Sequence, residues 1–273
     1  MSYIHWNVDP IIFKVFGIPV QYYGILFVSG LIVSTLILNK IFEENGIQKE
    51  LFEKLITYSV LGVFIGARLG HCLFYEPEYF LSHPVEIILP ISPNADGGYV
   101  FTGYRGLSSH GGVIGLLSAL TLYCFNTKQK LINILDYIAI VSPVTGCFIR
   151  IGNLMNSEII GKPATVPWAF IFERVDNIPR HPAQLYESIA YLITFTMVML
   201  LYKKIKKNKN YKNNGLFFGT VLVLVFVFRF LIEFFKENQV YFENAMTLDM
   251  GQILSIPFII TGIIFIVYSQ KMK

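Results

Sequence analysis

The chain has 273 residues, of which 54% are hydrophobic and 15% are charged, and its formal net charge is +4. Its mean hydropathy is +0.55. Ordinary soluble domains carry about 25% charged residues, so this composition excludes a disordered chain, a nucleic-acid-binding domain and a disulfide-stapled secreted scaffold. It indicates an all-α integral membrane protein that crosses the bilayer several times.

Seven apolar runs are long enough to cross a bilayer, which takes about 20 helical residues each. In chain order we predict spans at 20–38, 57–75, 108–125, 132–151, 184–202, 215–236 and 250–269. Polar stretches lie at 39–56, 76–107 and 152–183, a basic tract lies at 203–214, and an acidic link lies at 237–249. Residues 1–273 are therefore expected to form a single polytopic membrane domain.

The lysines predict the orientation of these spans. With seven spans, most of the lysines fall on one side: Lys40, Lys49, Lys54, Lys128, Lys130, Lys203, Lys204, Lys206, Lys207, Lys209, Lys212, Lys271 and Lys273. The other side carries only Lys14, Arg105, Lys162, Arg174, Arg180 and Lys236. Because cytoplasmic loops are rich in Lys and Arg, we predict an outer N-terminus and an inner C-terminus.

Ionisable side chains inside the predicted spans cluster toward the outer side. They are Arg68, His71, His110, Arg150, Glu187, Arg229 and Glu233, and the exception is Asp136, near the cytoplasmic edge of the fourth span. Such groups are costly in a bilayer, so the cluster predicts a polar cavity that opens toward the outer leaflet. Three arginines at this depth favour an anionic ligand, since arginine binds phosphate through two parallel hydrogen bonds. The alternative is that these arginines are structural and pair with Glu158, Glu187 and Glu233. For Arg68 the two interpretations carry equal weight.

Two polar segments at span ends leave alternatives open. His110 precedes Gly111 and Gly112, which would let the backbone approach a ligand, and histidine is suited to proton transfer near neutral pH. It could equally be a histidine hydrogen-bonded to a neighbouring helix. Asn153, Asn156 and Glu158 form a polar span end that is either a site or an exit loop. The three cysteines lack C-x-x-C spacing, so no metal or redox motif is predicted.

These segments together resemble the bacterial prolipoprotein diacylglyceryl transferase family. Residues 149–161, Ile-Arg-Ile-Gly-Asn-Leu-Met-Asn-Ser-Glu-Ile-Ile-Gly, are similar to its signature G-R-x-G-N-F-x-N-x-E-x-x-G, with Ile149 and Leu154 as the departures. Three further blocks agree in chain order: His110–Gly115 with H-G-G-[LV]-I-G, Arg180–Glu187 with R-H-P-[SA]-Q-L-Y-E, and Arg229–Phe234 with R-F-x-x-E-F. The early Tyr23 and residues 250–255 also fit.

The resemblance implies both a fold and a reaction. The fold is seven membrane helices with a small outer head, here from about 1–19, 76–107 and 152–183, in the bacterial cytoplasmic (inner) membrane. The reaction moves an sn-1,2-diacylglyceryl group from phosphatidylglycerol to the lipobox cysteine of a prolipoprotein, which forms a thioether and releases glycerol phosphate. This is the first step of lipoprotein maturation. It calls for membrane lipids as partners, and for no cofactor, metal or nucleic acid.

The resemblance also implies residue roles. His110 would be the candidate base for the thiol, and Arg150 and Arg229 would clamp the departing phosphate. A further set would bind or orient the substrates: Tyr23, Arg68, Asn153, Asn156, Glu158, Gln184, Tyr186, Glu187 and Glu233. Intramembrane arginines also suit an anion transporter or channel, and seven spans suit a receptor-like binder. Neither of these classes accounts for the ordered motif blocks.

Overall fold

The computed structural model describes residues 3–15, 17–89, 91–94, 97–101, 106–207, 214–238 and 246–271. Arg105, Lys209, Lys212, Lys273 and parts of the predicted basic tract and acidic link lie outside these ranges. The chain divides into two compact units. The first contains residues 1–41 and 135–273, and the second contains residues 42–134.

The described residues are mostly helical. In chain order the helices are α1 Tyr22–Glu44, α2 Lys49–Phe74, α3 Pro77–Ser82, α4 Pro84–Ile88, α5 Ser109–Thr127, α6 Leu131–Met155, α7 Ala183–Lys206, α8 Leu216–Glu233 and α9 Met250–Lys271. Every predicted span overlaps a long helix, but several predicted ends are wrong. The stretch 39–56 is largely helical, because its Lys and Glu residues are good helix formers and extend α1 and α2 beyond their apolar runs.

Six of the long helices are long and apolar enough to cross a membrane: α1, α2, α6, α7, α8 and α9. The seventh, α5, has 19 residues but carries polar residues in its first and last turns. Many large apolar side chains on these helices are exposed, as the lipid-facing surface of a membrane helix requires. The chain is therefore a multi-pass membrane protein.

The described residues of the first unit form two small β-structures that the sequence interpretation did not predict. Strands β1 Ile4–Trp6, β6 Phe170–Phe172 and β7 Pro179–Arg180 form one sheet, in which β1 runs parallel to β6 and β7 runs antiparallel to it. Strands β2 Ile11–Val15 and β3 Ile18–Gln21 form a hairpin immediately before α1. The sheet thus joins two of the three segments predicted for the head, 1–19 and 152–183.

Apolar side chains hold this sheet to the end of α6. Leu154, Ile160, Phe170 and Phe172 form a buried cluster, and Trp6 packs against it. The Trp6 indole also donates a hydrogen bond to the Leu154 carbonyl at 3.0 Å. The end of α6 and the segment that follows it are consequently held to the sheet by this packing and by the indole hydrogen bond.

Small and polar residues bring the helices of the first unit together. Ser34 on α1 donates to the Val141 carbonyl on α6 at 3.2 Å. Asp136 on α6 accepts hydrogen bonds from the Gly215 and Phe218 amides at 2.9 and 2.8 Å, and so caps the start of α8 from another helix. Such interhelical hydrogen bonds stabilise membrane helices, where no water competes for the polar groups.

The second unit is built on a close pairing of α2 and α5. A Cβ atom added at Gly115 would lie 2.7 Å from the Gly66 Cα atom, and one added at Gly111 would lie 2.8 Å from the Gly70 Cα atom. Only glycine therefore fits along this contact. The described part of this unit also contains α3, α4 and a hairpin of β4 Ile91–Pro93 with β5 Tyr99–Phe101.

Candidate active site

The loop after α6 carries the polar residues of the first motif and has an unusual backbone. Ser157 and Ile159 have φ angles of 55° and 57°. A β-branched residue such as Ile159 rarely adopts this left-handed conformation, so its surroundings must enforce it. Main-chain hydrogen bonds contribute, since the Glu158 amide donates to the Asn153 carbonyl at 2.9 Å. This is the irregular, polar span end that the sequence predicts.

Arg150 projects from the last turns of α6 and is held by two partners. Its Nε atom lies 2.9 Å from Glu187 Oε2 on α7, in an ion pair whose side chains are only 13% and 3% exposed. Its Nη1 atom donates to Asn153 Oδ1 at 3.1 Å. Tyr191 and Tyr23 also interact with its charge. The partners on Nε and Nη1 fix the plane of the guanidinium group.

Amide side chains surround Glu158. The Glu158 carboxylate accepts hydrogen bonds from Asn153 Nδ2 at 3.3 Å and from Asn156 Nδ2 at 3.2 Å. Gln184, which is fully buried, donates from Nε2 to the Glu158 carbonyl at 2.5 Å. The other amide oxygens, Asn156 Oδ1 and Gln184 Oε1, are buried and make no hydrogen bond with any residue described in the structure. Two acceptors are thus left for hydroxyl donors of a ligand.

Tyr23 joins this group from the start of α1. A Cβ atom at Gly152 would lie 2.8 Å from the Tyr23 ring, so the glycine of the motif allows the ring to pack directly on α6. The phenol interacts electrostatically with both Glu158 and Arg150. Tyr23 therefore lies in the same cluster, as the sequence interpretation proposes.

Glu187 has a second basic partner that the sequence interpretation did not single out. Lys236, just beyond α8, is buried, and its Nζ atom lies 3.7 Å from Glu187 Oε1. The same atom lies 3.0 Å from Glu233 Oε2. In the alternative interpretation the arginines pair with glutamates. The structure shows this for Arg150 with Glu187, whereas the described partner of Glu233 is Lys236 and not Arg229. The sequence signal for Lys236 was its position three residues after Glu233, on the side of the membrane where few lysines are predicted.

Arg229 differs from Arg150. It is half-buried on α8 and makes no hydrogen bond or ion pair within the described part of the chain. It lines a narrow crevice together with Glu187 and Tyr191. Both arginines thus flank Glu187, but only Arg150 is bound to it. The sequence interpretation also did not identify Tyr191 as a site residue. The only indication in the sequence is that Tyr191 follows Glu187 by four residues and so shares its helix face.

Tyr186 takes part in a hydrogen-bond chain at the start of α7. Its hydroxyl accepts from the Trp168 indole at 2.8 Å and lies 3.0 Å from His181 Nδ1. Burial lowers the pKa of His181, which favours the neutral ring. A neutral Nδ1 can accept the Tyr186 proton, so the three side chains form one directed chain beside the head.

Arg180 secures the head to the segment after α8. Its guanidinium group makes ion pairs with Asp176 at 2.6 Å and with Glu237 at 3.0 Å, and Nη1 donates to the Gly161 carbonyl at 3.2 Å. The hydrogen bonds from Arg180 lower the pKa of Asp176. These contacts serve the architecture of the head.

Two predicted residues belong to the second unit. Arg68 donates to the Glu86 and Ile87 carbonyls at 2.5 and 3.1 Å and lies over the Phe80 ring at 4.8 Å. These contacts favour its structural interpretation, and a substrate role stays a prediction. The exposed His110 ring has no hydrogen bond to a described residue. Its neighbour Gly111 packs against α2, so a close approach of backbone to α2 accounts for that glycine.

The cluster in the first unit can stabilise an anion and orient a hydroxylated ligand. It combines Arg150, Arg229 and Lys236 with carboxylates and amides in a largely buried setting. Fixed guanidinium groups in such a setting stabilise negative charge that develops during a reaction, and they do so without reorganisation. This Arg150 cluster brings together nine predicted site residues, with Tyr191 and Lys236 in addition: Tyr23, Arg150, Asn153, Asn156, Glu158, Gln184, Glu187, Arg229 and Glu233. Tyr186 belongs instead to the hydrogen-bond chain with Trp168 and His181.

Comparison with known proteins identifies similar chains. The family described as prolipoprotein diacylglyceryl transferase matches residues 10–268. The phosphatidylglycerol–prolipoprotein diacylglyceryl transferase of Bacteroides fragilis is 52% identical over 270 residues, which cover 99% of this chain and 96% of that protein. The proteins of the same name from Chloroherpeton thalassium and Tolumonas auensis are 44% and 41% identical over 271 residues. Both alignments cover 99% of this chain, with 96% and 99% of the respective relatives.

Proposed function

This chain belongs to the prolipoprotein diacylglyceryl transferase family, and we propose that it transfers the sn-1,2-diacylglyceryl group of phosphatidylglycerol to the lipobox cysteine of prolipoproteins. The observation that carries the proposal is the buried cluster around Arg150, at the family's first motif. Membership of a transferase family also disfavours the anion transporter and receptor interpretations.

The reaction requires a nucleophile and a leaving group. The substrate thiol loses its proton, its sulfur forms a bond to the glycerol carbon, and the carbon–oxygen bond to the phosphate breaks. The electron pair leaves with the phosphate oxygen, so glycerol phosphate departs with an additional negative charge. Arg150 and Arg229 are proposed to stabilise that charge from two helices.

The polar residues near Arg150 are proposed to orient the lipid headgroup. The acceptors Asn156 Oδ1 and Gln184 Oε1 suit the hydroxyl groups of a glycerol headgroup, because each is buried and has no described donor. Glu158, Asn153 and Tyr23 would complete this part of the site. Tyr186, Glu187 and Glu233 would act by holding these groups and the arginines in place.

His110 is proposed as the base on chemical grounds. A cysteine thiol has a pKa of about 8.5, so its thiolate is the minor form at neutral pH until a base takes the proton. A histidine is suited to this step because its ordinary pKa is about 6.5. The His110 ring is exposed and has no hydrogen bond to a described residue, which leaves both nitrogens available to a substrate.

The membrane arrangement is a proposal of the same kind. We propose that α5 is a seventh span, that the N-terminus is outside and the C-terminus inside, and that the site faces the outer leaflet of the bacterial inner membrane. The support is the segregation of lysines in the sequence. Lipid and secreted prolipoprotein both reach such a site from within the membrane.

The decisive test uses the purified full-length protein in detergent or in vesicles with phosphatidylglycerol and a lipobox peptide. We expect the peptide mass to rise by one diacylglyceryl group and glycerol phosphate to appear in equal amount. A matched peptide with Ser in place of the lipobox Cys is the control and should stay unmodified. Unchanged mass of the Cys peptide with folded protein would overturn the proposed function.

A further inference from the structure

Lys236 is the one buried lysine of the described residues that contacts the Arg150 cluster. It is 4% exposed, although lysine is almost never buried without a partner. Its Nζ atom lies 3.0 and 3.3 Å from the two oxygens of Glu233 and 3.7 Å from Glu187 Oε1. The lysine is therefore shared between two carboxylates.

The backbone around Lys236 is fixed by the loop of the first motif. The Lys162 amide donates to the Phe235 carbonyl at 2.8 Å, and the Glu237 amide donates to the Ile160 carbonyl at 3.1 Å. Gly161 lies opposite Lys236, where an added Cβ atom would lie 2.7 Å from the Phe235 carbonyl oxygen. Lys236 thus projects from a backbone segment that is held by main-chain hydrogen bonds on both sides, and these hydrogen bonds restrict where its ammonium group can lie.

The two oxygens of Glu187 serve different cations. Oε2 takes Arg150 Nε at 2.9 Å, and Oε1 faces Lys236. Both oxygens are buried, and both are balanced by ion pairs rather than hydrogen bonds. Carboxylates and guanidinium groups favour a two-pronged contact. With Lys236 absent, Glu187 would be able to rotate and grip Arg150 through two nitrogens, which would occupy donors needed for phosphate.

We propose that Lys236 is a positioning residue for the transfer reaction. By facing Oε1 of Glu187 at 3.7 Å, it restricts that carboxylate to Arg150 Nε and stops it from taking up an η nitrogen. The remaining N–H groups of Arg150, beyond the one that binds Asn153, are then left to the phosphate. It also balances Glu187 and Glu233, whose two negative charges would otherwise weaken the field of Arg150 at the phosphate. This inference rests on the proposed function and adds a residue to its machinery.

The test compares steady-state transfer by Lys236→Met, Lys236→Gln and Lys236→Arg at varied phosphatidylglycerol concentration. Misplacing a catalytic group by about 1 Å costs about 100-fold in rate, so we expect kcat of both neutral variants to fall by about that factor. KM for phosphatidylglycerol should change by less than about threefold, since the arginine charges remain. Lys236→Arg should recover most of kcat. Lys14→Met, at an exposed lysine of the same unit, is the control and should match wild type.

A double-mutant cycle tests the connection to Arg150. If Lys236 acts through Arg150, the loss from Lys236→Met should shrink to less than about fivefold in an Arg150→Lys background. Equal losses in both backgrounds would overturn the proposal. So would normal kcat in folded neutral variants, or failure of both neutral variants to fold, which would assign Lys236 a structural role. Inactive wild-type protein would instead contradict the proposed function itself.

Discussion

Arg150 and Glu187 form a buried ion pair between α6 and α7, whereas Arg229 lines the crevice beside Glu187 without a described partner. The side chains of the two arginines therefore differ in conformational freedom. Arg150 is oriented before any ligand arrives, and Arg229 is able to follow a ligand. A phosphate held by both would meet one rigid and one adaptable donor.

This difference leads to a prediction for the arginine variants. Arg150→Lys and Arg229→Lys keep the charge but lose the planar pair of donors, so each should lower turnover about 100- to 1000-fold, or about 2.7–4 kcal/mol. Only loss of Arg150 should also destabilise the fold, because Arg150→Ala leaves the buried Glu187 carboxylate without its closest cation, at a cost of about 3–5 kcal/mol. Arg229→Ala should be nearly inactive at an unchanged Tm.

The measurements are glycerol phosphate release at saturating phosphatidylglycerol and thermal melting in detergent. Near-normal turnover in both Lys variants would contradict a two-arginine clamp and leave only a diffuse positive field. Equal Tm losses for Arg150→Ala and Arg229→Ala would contradict the difference in their pairing.

The sequence predicted the long helices because their apolar runs are strong signals, and it predicted most of the cluster because the motifs place polar groups at span ends. It did not predict Lys236, since a lysine near a span end is ordinarily explained as a membrane anchor. Its burial depends on two carboxylates, Glu187 and Glu233, of which one is far away in the chain. The sequence also did not predict the strands of the head, because β1 and β6 lie more than 160 residues apart and pair through only three residues each.

The glycines of α5 show why a correct motif does not fix a role. Gly111 follows His110, which suggested a backbone approach to a ligand, but the structure places Gly111 against Gly66 and Gly70 of α2. The sequence signal for this helix contact was the regular spacing of small residues, since Gly62, Gly66 and Gly70 recur at every fourth position on α2. That pattern is typical of close helix pairs in membranes.

The helix contact gives a second prediction. Gly115→Ala should lower stability by about 1–3 kcal/mol, because its Cβ atom would overlap the backbone of α2. Gly112→Ala is the matched control one turn away. There the added Cβ atom would have its nearest contact at 3.6 Å, in ordinary van der Waals range. Melting in detergent should show a lower Tm for Gly115→Ala alone, and equal Tm values would contradict the close packing.

The cap on α8 gives a third prediction. Asp136→Ala leaves the Gly215 and Phe218 amides without their acceptor, and each buried unsatisfied group costs about 1–3 kcal/mol. Asp136→Asn keeps one acceptor oxygen and should be milder. We expect Tm to fall in the order wild type, Asn, Ala. A Tm of the Ala variant equal to that of wild type would show that α8 does not depend on this cap.

The head gives a prediction about pH. Hydrogen bonds from Arg180 lower the pKa of Asp176 in the folded protein, so the ionised carboxylate stabilises the fold. This contribution is complete above the unfolded pKa of about 3.9 and is lost as pH falls through the lowered value. The Tm difference between wild type and Asp176→Asn should be constant from pH 7 to 5 and shrink below about pH 4. A difference that persists unchanged at the lowest pH would contradict the assignment.

The last prediction concerns orientation, and it uses one cysteine at a time. In a background with Cys72, Cys124 and Cys147 changed to Ala, a cysteine at Asn177 lies in the exposed loop between β6 and β7, and one at Lys204 lies at the lysine-rich end of α7. Because lysine-rich ends remain in the cytoplasm, an impermeant thiol reagent added to intact cells should label position 177 and spare position 204 until the cells are permeabilised. A helix of 24 residues separates the two regions, which is long enough to cross the hydrocarbon core at about 1.5 Å per residue. Labelling of position 204 in intact cells would reverse the proposed orientation and move the Arg150 cluster to the cytoplasmic side.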